Sequence, residues 1–258
     1  MLGYKITLHN GTASHGGIGK WRLPVQRKDG TWKPGQWMPP VRDTLICERG
    51  YHYVPRPYMI PYFLLHHSHV LWRLQTDDRY KHEHAYEKSA AGRARLLYPI
   101  PFDAREQALL VLRIIDRYEF SYRQVMGPDH EGLRVALDVL YPIIDAGGRV
   151  DLDARKSVER AIADALRVAS QPFLSRLMNV VYAVMDYENG TALYEVSTNL
   201  WDQLFHWRVQ SLALANHSRN FAIVGAHEFV HKENRWLDDE FLAIFHRLVR
   251  REDVWHGV

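Results

Sequence analysis

The feature that most constrains the fold of this chain is a change of hydrophobic rhythm near residue 103. Before it, short apolar or alternating runs such as Tyr4-Lys5-Ile6-Thr7-Leu8 are separated by glycine and proline turns, a pattern typical of β-strands. After it, apolar residues recur with the 3.6-residue period of amphipathic helices. The sequence therefore predicts an α+β protein, with a β-rich module over residues 1–101 and an all-helical domain over residues 102–258.

Individual elements can be placed within this division. Strands are predicted at Tyr4–Leu8, Val70–Leu74 and Gly92–Tyr98, with a short helix at Tyr58–Leu65. Asp103 is a candidate cap for a helix that reaches about Phe120. Further helices are then expected over 129–147, 153–169, 173–187 and 193–215, and around residue 227.

The composition excludes several classes of protein. With 47% apolar residues in 258, the chain has enough nonpolar surface to form real cores. Cys47 is the lone cysteine, so neither an intramolecular disulfide nor a cluster of thiolate ligands is expected. The sequence shows no signal-peptide pattern, and no apolar run approaches the ~18 residues of a membrane span. We therefore expect a protein of a reducing cytoplasm that has no contact with membranes.

Charge is distributed unevenly along the chain. Residues 1–101 contain 15 basic and 7 acidic residues, a net charge of +8, whereas the remainder carries 18 basic and 23 acidic residues, a net charge of −5. This asymmetry predicts that the two parts dock on each other. The alternative is that the basic part binds nucleic acid, because arginines pair with phosphates and tryptophans such as Trp37 and Trp72 stack on bases.

One short motif matches a known catalytic chemistry. In His227-Glu228-Phe229-Val230-His231, two histidines four residues apart would share one face of a helix and hold a zinc ion. Glu228 would then activate the metal-bound water. We expect both imidazoles to point toward the core, on the same side as Asn234.

The third zinc ligand would have to come from the remainder of the chain. Glu252 has the best spacing from His231, and Glu240 and His246 are weaker alternatives. The Lys232-Glu233 pair after the motif departs from the usual zinc-hydrolase pattern. The alternative interpretation is that His227 and His231 are ordinary histidines hydrogen-bonded to their neighbours. In the first part of the chain, His67 with His69, or His82 with His84, would be a second metal-binding pair if they are not simply surface histidines.

An ordered set of landmarks in the first part resembles a family of proteins. The set consists of Lys5-Ile6-Thr7, Trp37, Cys47-Glu48-Arg49-Gly50-Tyr51-His52, Leu71-Trp72-Arg73-Leu74, Lys88 and Arg93-Ala94-Arg95-Leu96. It is similar to an uncharacterised family from actinobacterial phages and their hosts, over roughly residues 2–112. The resemblance implies a phage-type accessory protein in the cytoplasm of a bacterial host, and it implies no reaction. His52 would be either a functional side chain or the residue that locks a turn.

A fainter resemblance points to a different chemistry. The segment His9-Asn10-Gly11-Thr12, followed by Tyr51 or Tyr53 and by Glu83 or Glu87, is similar to the histidine, tyrosine and glutamate of ADP-ribosyltransferase modules. That resemblance would imply that the first part binds and cleaves NAD.

These patterns favour a protein that acts by binding a macromolecular partner. A protein partner is expected, with nucleic acid as the alternative partner of the basic part. The residues expected to contribute to binding are Trp37, Arg49, His52 and Trp72. No cofactor is expected for such a protein, whereas zinc is expected for a hydrolase acting through His227, Glu228, His231 and Glu252.

Overall fold

The chain has an α+β fold in which antiparallel sheets precede a series of helices. The computed structural model describes residues 1–14, 19–63, 69–80, 82–84, 88–126, 131–166, 171–192, 195 and 219–249. Two compact units are present, one of Met1–Phe102 with Asn234–Val258 and one of Asp103–Glu233. The predicted boundary after residue 101 thus lies next to the observed one. The end of the chain, expected in the helical domain, belongs instead to the first unit.

The first unit contains two three-stranded sheets and one short ribbon. Its strands are β1 (Leu2–Leu8), β2 (Val25–Gln26), β3 (Trp32–Lys33), β4 (Tyr51–Tyr53), β5 (His69–Thr76), β6 (His82–His84), β7 (Ser89–Ala91) and β8 (Ala94–Ile100). One sheet has the order β1-β5-β8 and the other β4-β7-β6, while β2 pairs with β3; all pairings are antiparallel. The backbones of Tyr4 and Val54 exchange two hydrogen bonds of 2.8 Å, which join β1 to the segment after β4.

Strand β1 forms because its side chains alternate between two covered faces. Gly3, Lys5 and Thr7 share one face, and Tyr4 and Ile6 lie on the other. Thr7 accepts a 2.8 Å hydrogen bond from the indole nitrogen of Trp72 on β5, so this buried N–H is paired. Lys5 is directly opposite Trp72 in the register.

The core of the first unit has two neighbouring parts. One is a cluster of buried residues that comprises Trp21, Met38, Tyr53, Trp72, Leu74, Ala91, Ala94 and Leu96. The other is aromatic: Phe245 lies 5.5 Å from Tyr4 and 5.7 Å from Phe102 between ring centroids, and Phe241 lies 5.5 Å from Phe102. Because Phe241 and Phe245 cover rings of the first unit, the end of the chain groups with that unit.

The second unit is helical, as the sequence predicts. It contains α1 (Ala104–Met126), α2 (Glu131–Asp145), α3 (Leu152–Leu166) and α4 (Gln171–Met185), and it shares α5 (Arg219–Leu248) with the first unit. The predicted cap of α1 is confirmed, since the Asp103 carboxylate accepts a 2.9 Å hydrogen bond from the Glu106 amide. Leu137, Leu140 and Ile144 of α2 are buried, and the helix ends before Gly147, whose φ is +70°.

Two sequence expectations need qualification. The helix expected at Tyr58–Leu65 is a 3₁₀ helix over Pro57–Tyr62, and residues 64–68 are outside the described part of the chain. The segment expected to be helical over 193–215 lies outside it as well, apart from Glu195. Over the residues that the structure does describe, no helix combines the length and the apolar character needed to cross a membrane.

Candidate functional site

The first unit contains a cavity of about 550 Å³, which we call the Lys5 cavity. Its walls come from β1 and the segment after it, from the loop before β4, from β4 itself, and from Lys88, which directly precedes β7. The lining residues are Tyr4, Lys5, Ile6, Ala13, Ser14, Gly19, Cys47, Glu48, Gly50, His52, Tyr53, Val54, Phe63 and Lys88. The volume lies within the roughly 300–1,000 Å³ of cavities that hold small ligands.

Lys5 is the distinctive side chain of this cavity, because it is half-buried and has no acidic partner among the described residues. The Nζ donates a 2.9 Å hydrogen bond to the backbone carbonyl of His52 and lies 5.4 Å from the centroid of the Trp21 ring. None of the ion pairs among the described residues involves Lys5. Burial therefore lowers the pKa of Lys5 from 10.5 to about 8.

His52 holds the loop that forms one rim of the cavity. Its Nε2 accepts a 2.8 Å hydrogen bond from the Cys47 amide, which requires this nitrogen to be unprotonated. Burial lowers the pKa of His52, and the positive charges of Lys5 and Lys88 lower it further, whereas a hydrogen bond with the Leu45 backbone acts in the opposite direction. The structure thus gives His52 the turn-locking contact that the sequence leaves open, and it also places this side chain on the cavity wall.

The loop over residues 45–49 is held in an unusual backbone conformation. Cys47 has a φ of +70°, a left-handed conformation that costs a non-glycine residue roughly 1–2 kcal/mol. Two side chains offset this cost by accepting hydrogen bonds from backbone amides of the loop. His52 accepts from the Cys47 amide, and the Glu83 carboxylate accepts from the Ile46 amide at 2.8 Å. Gly50 completes the turn with a φ of +107°, where a side chain would be strained.

The charges that line the cavity favour an anion. Lys5 and Lys88 contribute two amines, and Glu48 contributes the carboxylate among the lining residues. His52 is a weaker base than an ordinary histidine. Tyr4, Ile6, Tyr53, Val54 and Phe63 contribute apolar surface beside the polar Ser14, so an anionic group would meet cations in a setting only partly open to water, where charge interactions are stronger than in bulk solvent.

The residues expected to contribute to binding lie in different environments. His52 lines the cavity, and Arg49 is exposed in the adjoining loop. Trp72 is 5% exposed and belongs to the core, so its indole cannot stack on a base. Trp37 is partly buried, with the guanidinium groups of Arg93 and Arg95 at 5.3 Å and 4.7 Å from its ring centroid. Its contacts are therefore cation–π contacts within the protein.

The zinc motif lies on a helix, as its spacing predicts, but the expected inward orientation is wrong for His231, and the side chain of His227 is outside the described part of the chain. Glu228 and His231 are exposed on α5, while Asn234, Leu237 and Phe241 are buried. His231 precedes Leu237 by six residues, which places it about 120° away around a helix of ~100° per residue.

A complete zinc site is not visible in the described part of the chain. The side chain of His227 and all of Glu252 fall outside it. No group of three or more His, Cys, Asp or Glu residues with metal-binding geometry occurs among the residues that are described. His82, one of the other histidines considered, lies 3.8 Å from the Asp78 carboxylate, and His66 and His67 are outside the described ranges.

The residues that resemble an ADP-ribosyltransferase are not assembled around the cavity. Tyr53 lines it, but His9 is exposed at the end of β1 and is not among the lining residues. Glu83 is engaged by the Ile46 amide, the Tyr51 hydroxyl donates to the Pro39 carbonyl at 2.7 Å, and Glu87 lies outside the described residues.

Sequence reasoning did not select Lys5, Glu48 or Lys88 as site residues. A signal for them was present, because all three belong to the ordered landmarks on which the resemblance to the phage family was based. Those landmarks are scattered over more than 80 positions of sequence, and the pairing of β4 with β7, together with the bridge between Tyr4 and Val54, brings several of them to one cavity.

Comparison with protein-family models, characterised proteins and solved structures finds no match for this chain.

Proposed function

We propose that the first unit is a binding module that takes a small anionic compound, or an anionic group of a partner molecule, into the Lys5 cavity. The observation that carries the proposal is the Lys5 amine, which is half-buried at the cavity wall without an ion pair among the described residues. Lys88 adds a second positive charge to the same lining. An anion in the cavity would give both amines a counter-charge, and neither amine has an ion-pair partner among the described residues.

The energetic basis of the proposal is the cost of burying a charge. A desolvated ammonium is unfavourable unless a counter-charge lies close by, and the lowered pKa of Lys5 expresses this cost. A carboxylate or phosphate beside Nζ would remove it. Binding is also the function that the sequence favours, and the cavity specifies the chemical group that a macromolecular partner would have to present.

Pairs of compounds that differ in one phosphate provide the test. Calorimetric titration should detect binding of pyridoxine 5′-phosphate and adenosine monophosphate, and no binding of pyridoxine or adenosine. Lys5→Met and Lys88→Met should each weaken binding by about tenfold or more, the equivalent of one lost charge-assisted contact. Lys33→Met is the matched control, because Lys33 is exposed on β3 and does not line the cavity.

The result that would contradict the proposal is equally definite. Binding of the uncharged parents as tightly as their phosphates would show that charge does not select the ligand. Unchanged affinity in both Lys5→Met and Lys88→Met would show that anions bind outside the Lys5 cavity. Binding of none of the phosphates would show that the chain does not bind these anions.

A further inference from the structure

We infer that Lys5 is a carbonyl-reactive amine, and that the ligand class of the Lys5 cavity is an anionic aldehyde or ketone. This inference rests on the proposed anion-binding function and adds a reaction to it. The amine would form a reversible imine with the carbonyl carbon, while Lys88 holds the anionic group of the same ligand.

The hydrogen-bond partner of Lys5 permits this chemistry. The Nζ donates to the backbone carbonyl of His52 at 2.9 Å. A carbonyl oxygen accepts a hydrogen bond from an ammonium and, more weakly, from a neutral amine, so Lys5 can lose a proton and keep the bond. A carboxylate of the protein bound to Nζ would instead keep the free site in the charged, unreactive form, and the anionic group of the aldehyde or ketone is assigned to Lys88 for the same reason. Among the described residues Lys5 has no such partner.

The surroundings of the amine favour its neutral form. On one side lies the ring of Trp21, which is itself 6% exposed and buried in the core cluster. A cation above an indole gains some stabilisation, but desolvation outweighs it, since the pKa of Lys5 falls to about 8. At pH 7 the neutral fraction is then about 300-fold larger than for a lysine with the ordinary pKa of 10.5.

The cavity supplies room for the other end of the ligand. Its ~550 Å³ exceeds what an isolated carboxylate or phosphate fills, so an organic skeleton of small-metabolite size fits between the two lysines. Lys5 and Lys88 both act electrostatically on His52, which places both amines around this one imidazole. A ligand with a carbonyl and an acidic group would meet both cations.

The proposed step conserves atoms and electrons. The lone pair of the neutral Lys5 nitrogen attacks the carbonyl carbon, a C–N bond forms, and the C=O π pair moves to oxygen, giving a carbinolamine after proton transfer. Loss of the hydroxyl with the remaining nitrogen proton releases one water and leaves a C=N bond. Nothing is oxidised or reduced, and addition of water reverses the step.

Pyridoxal 5′-phosphate is a suitable probe, because pyridoxine 5′-phosphate is its matched analogue without the aldehyde. The full chain is incubated with an equimolar amount of the aldehyde, reduced with borohydride, digested and analysed by mass spectrometry. We expect the label on Lys5, at about tenfold or more over the exposed Lys20, Lys28 and Lys33. Lys5→Arg should lose that label, because a guanidinium does not form the imine, whereas Lys33→Arg, outside the cavity, should keep it.

The pH dependence gives a second measurement that needs no variant. The rate of labelling at Lys5 should rise with pH and reach half its maximum near pH 8, which follows the neutral amine. Label spread evenly over the exposed lysines, or a half-maximum near 10.5, would overturn the inference. Failure of the anion proposal looks different, because pyridoxine 5′-phosphate would then not bind, whether or not Lys5 is labelled.

Discussion

At the scale of single residues, the site depends on side chains that satisfy backbone groups and on a lysine amine that has no acidic partner in the described ranges. His52 illustrates the first case, because its ring nitrogen stabilises the left-handed Cys47 and so shapes the rim of the Lys5 cavity. Lys5 illustrates the second case, since its amine meets a carbonyl oxygen and an indole ring. The rim is therefore sensitive to the protonation of His52, and the wall to the protonation of Lys5.

The contact between His52 and Cys47 predicts a pH dependence of stability. The pKa of His52 is below its usual 6.5 in the folded protein, so between the two values the unfolded chain binds more protons. This contribution to stability should be complete above about pH 6.5 and lost as pH falls through the folded pKa. Urea unfolding measured from pH 8 to pH 5 should show a fall in the free energy of unfolding. In His52→Gln this pH-dependent fall should be smaller.

A direct readout of the same contact is the amide resonance of Cys47. Its chemical shift should follow the titration of the His52 ring, because a protonated imidazole can no longer accept the amide hydrogen. If the chemical shift of the Cys47 amide does not change as His52 titrates, the hydrogen bond does not hold the loop in solution.

Two buried threonines of the first unit predict opposite responses to the same substitution. Thr7→Val leaves the indole N–H of Trp72 without its 2.8 Å acceptor and should cost about 1–3 kcal/mol of unfolding free energy. The hydroxyl of Thr44 is buried without a partner among the described residues, so Thr44→Val should be neutral or stabilising. Denaturation of the two variants side by side gives the comparison, and an equal loss in both would contradict the assigned role of Thr7.

At the scale of elements, the sequence predicts well where the hydrophobic period is long. Strands β1, β5 and β8 and helices α2 to α4 each lie within a few residues of their predicted positions, because seven or more residues display the period. Helix α1 begins as predicted but continues to Met126, past its predicted end near Phe120. Strands β4, β6 and β7 have three residues each, too few to show an alternation. Since β4 provides His52 and β7 follows Lys88, the cavity could not be assembled from local patterns alone.

Helix α5 shows how a motif can be located correctly and oriented incorrectly. Its spacing predicts a shared helical face for His227 and His231, but only the packing of Leu237, Phe241 and Phe245 fixes which face turns inward. That packing depends on Tyr4 and Phe102, which are more than 130 residues earlier in the chain. A local periodicity argument contains no information on contacts of such separation.

The orientation of α5 predicts a large contrast between neighbouring substitutions. Phe241→Ala removes a fully buried ring that packs on Phe102 and should cost about 3–5 kcal/mol of unfolding free energy. His231→Ala removes an exposed side chain and should change it by less than about 0.5 kcal/mol. Urea denaturation measures both changes. A stoichiometric zinc ion that His231→Ala releases would contradict this assignment and restore the hydrolase alternative.

At the scale of the whole molecule, the cavity belongs to the basic part of the chain. Residues 1–101 carry a net charge of +8, so their field should draw small anions toward the cavity before contact occurs. Long-range attraction raises the rate of association, whereas contacts inside the cavity determine the rate of dissociation. The two effects can therefore be separated by kinetics.

Salt and surface variants should separate these effects for pyridoxine 5′-phosphate. Raising the ionic strength from ~0.05 M to ~0.5 M should slow association several-fold, because the screening length shortens. Arg22→Gln with Arg49→Gln, both exposed, should lower the association rate and leave dissociation unchanged. Lys88→Met should mainly accelerate dissociation. Stopped-flow measurements that show no effect of salt on association would exclude electrostatic steering.

The most direct test of the central claim is an NMR titration of the Lys5 amine, with and without pyridoxine 5′-phosphate. In the free protein the pKa of Lys5 should be about 8, because burial disfavours the ammonium. With the cavity saturated it should rise well above 8, because an anion beside Nζ stabilises the charged form. A Lys5 pKa that stays the same when the phosphate binds would contradict the account, since the anion would then lie elsewhere.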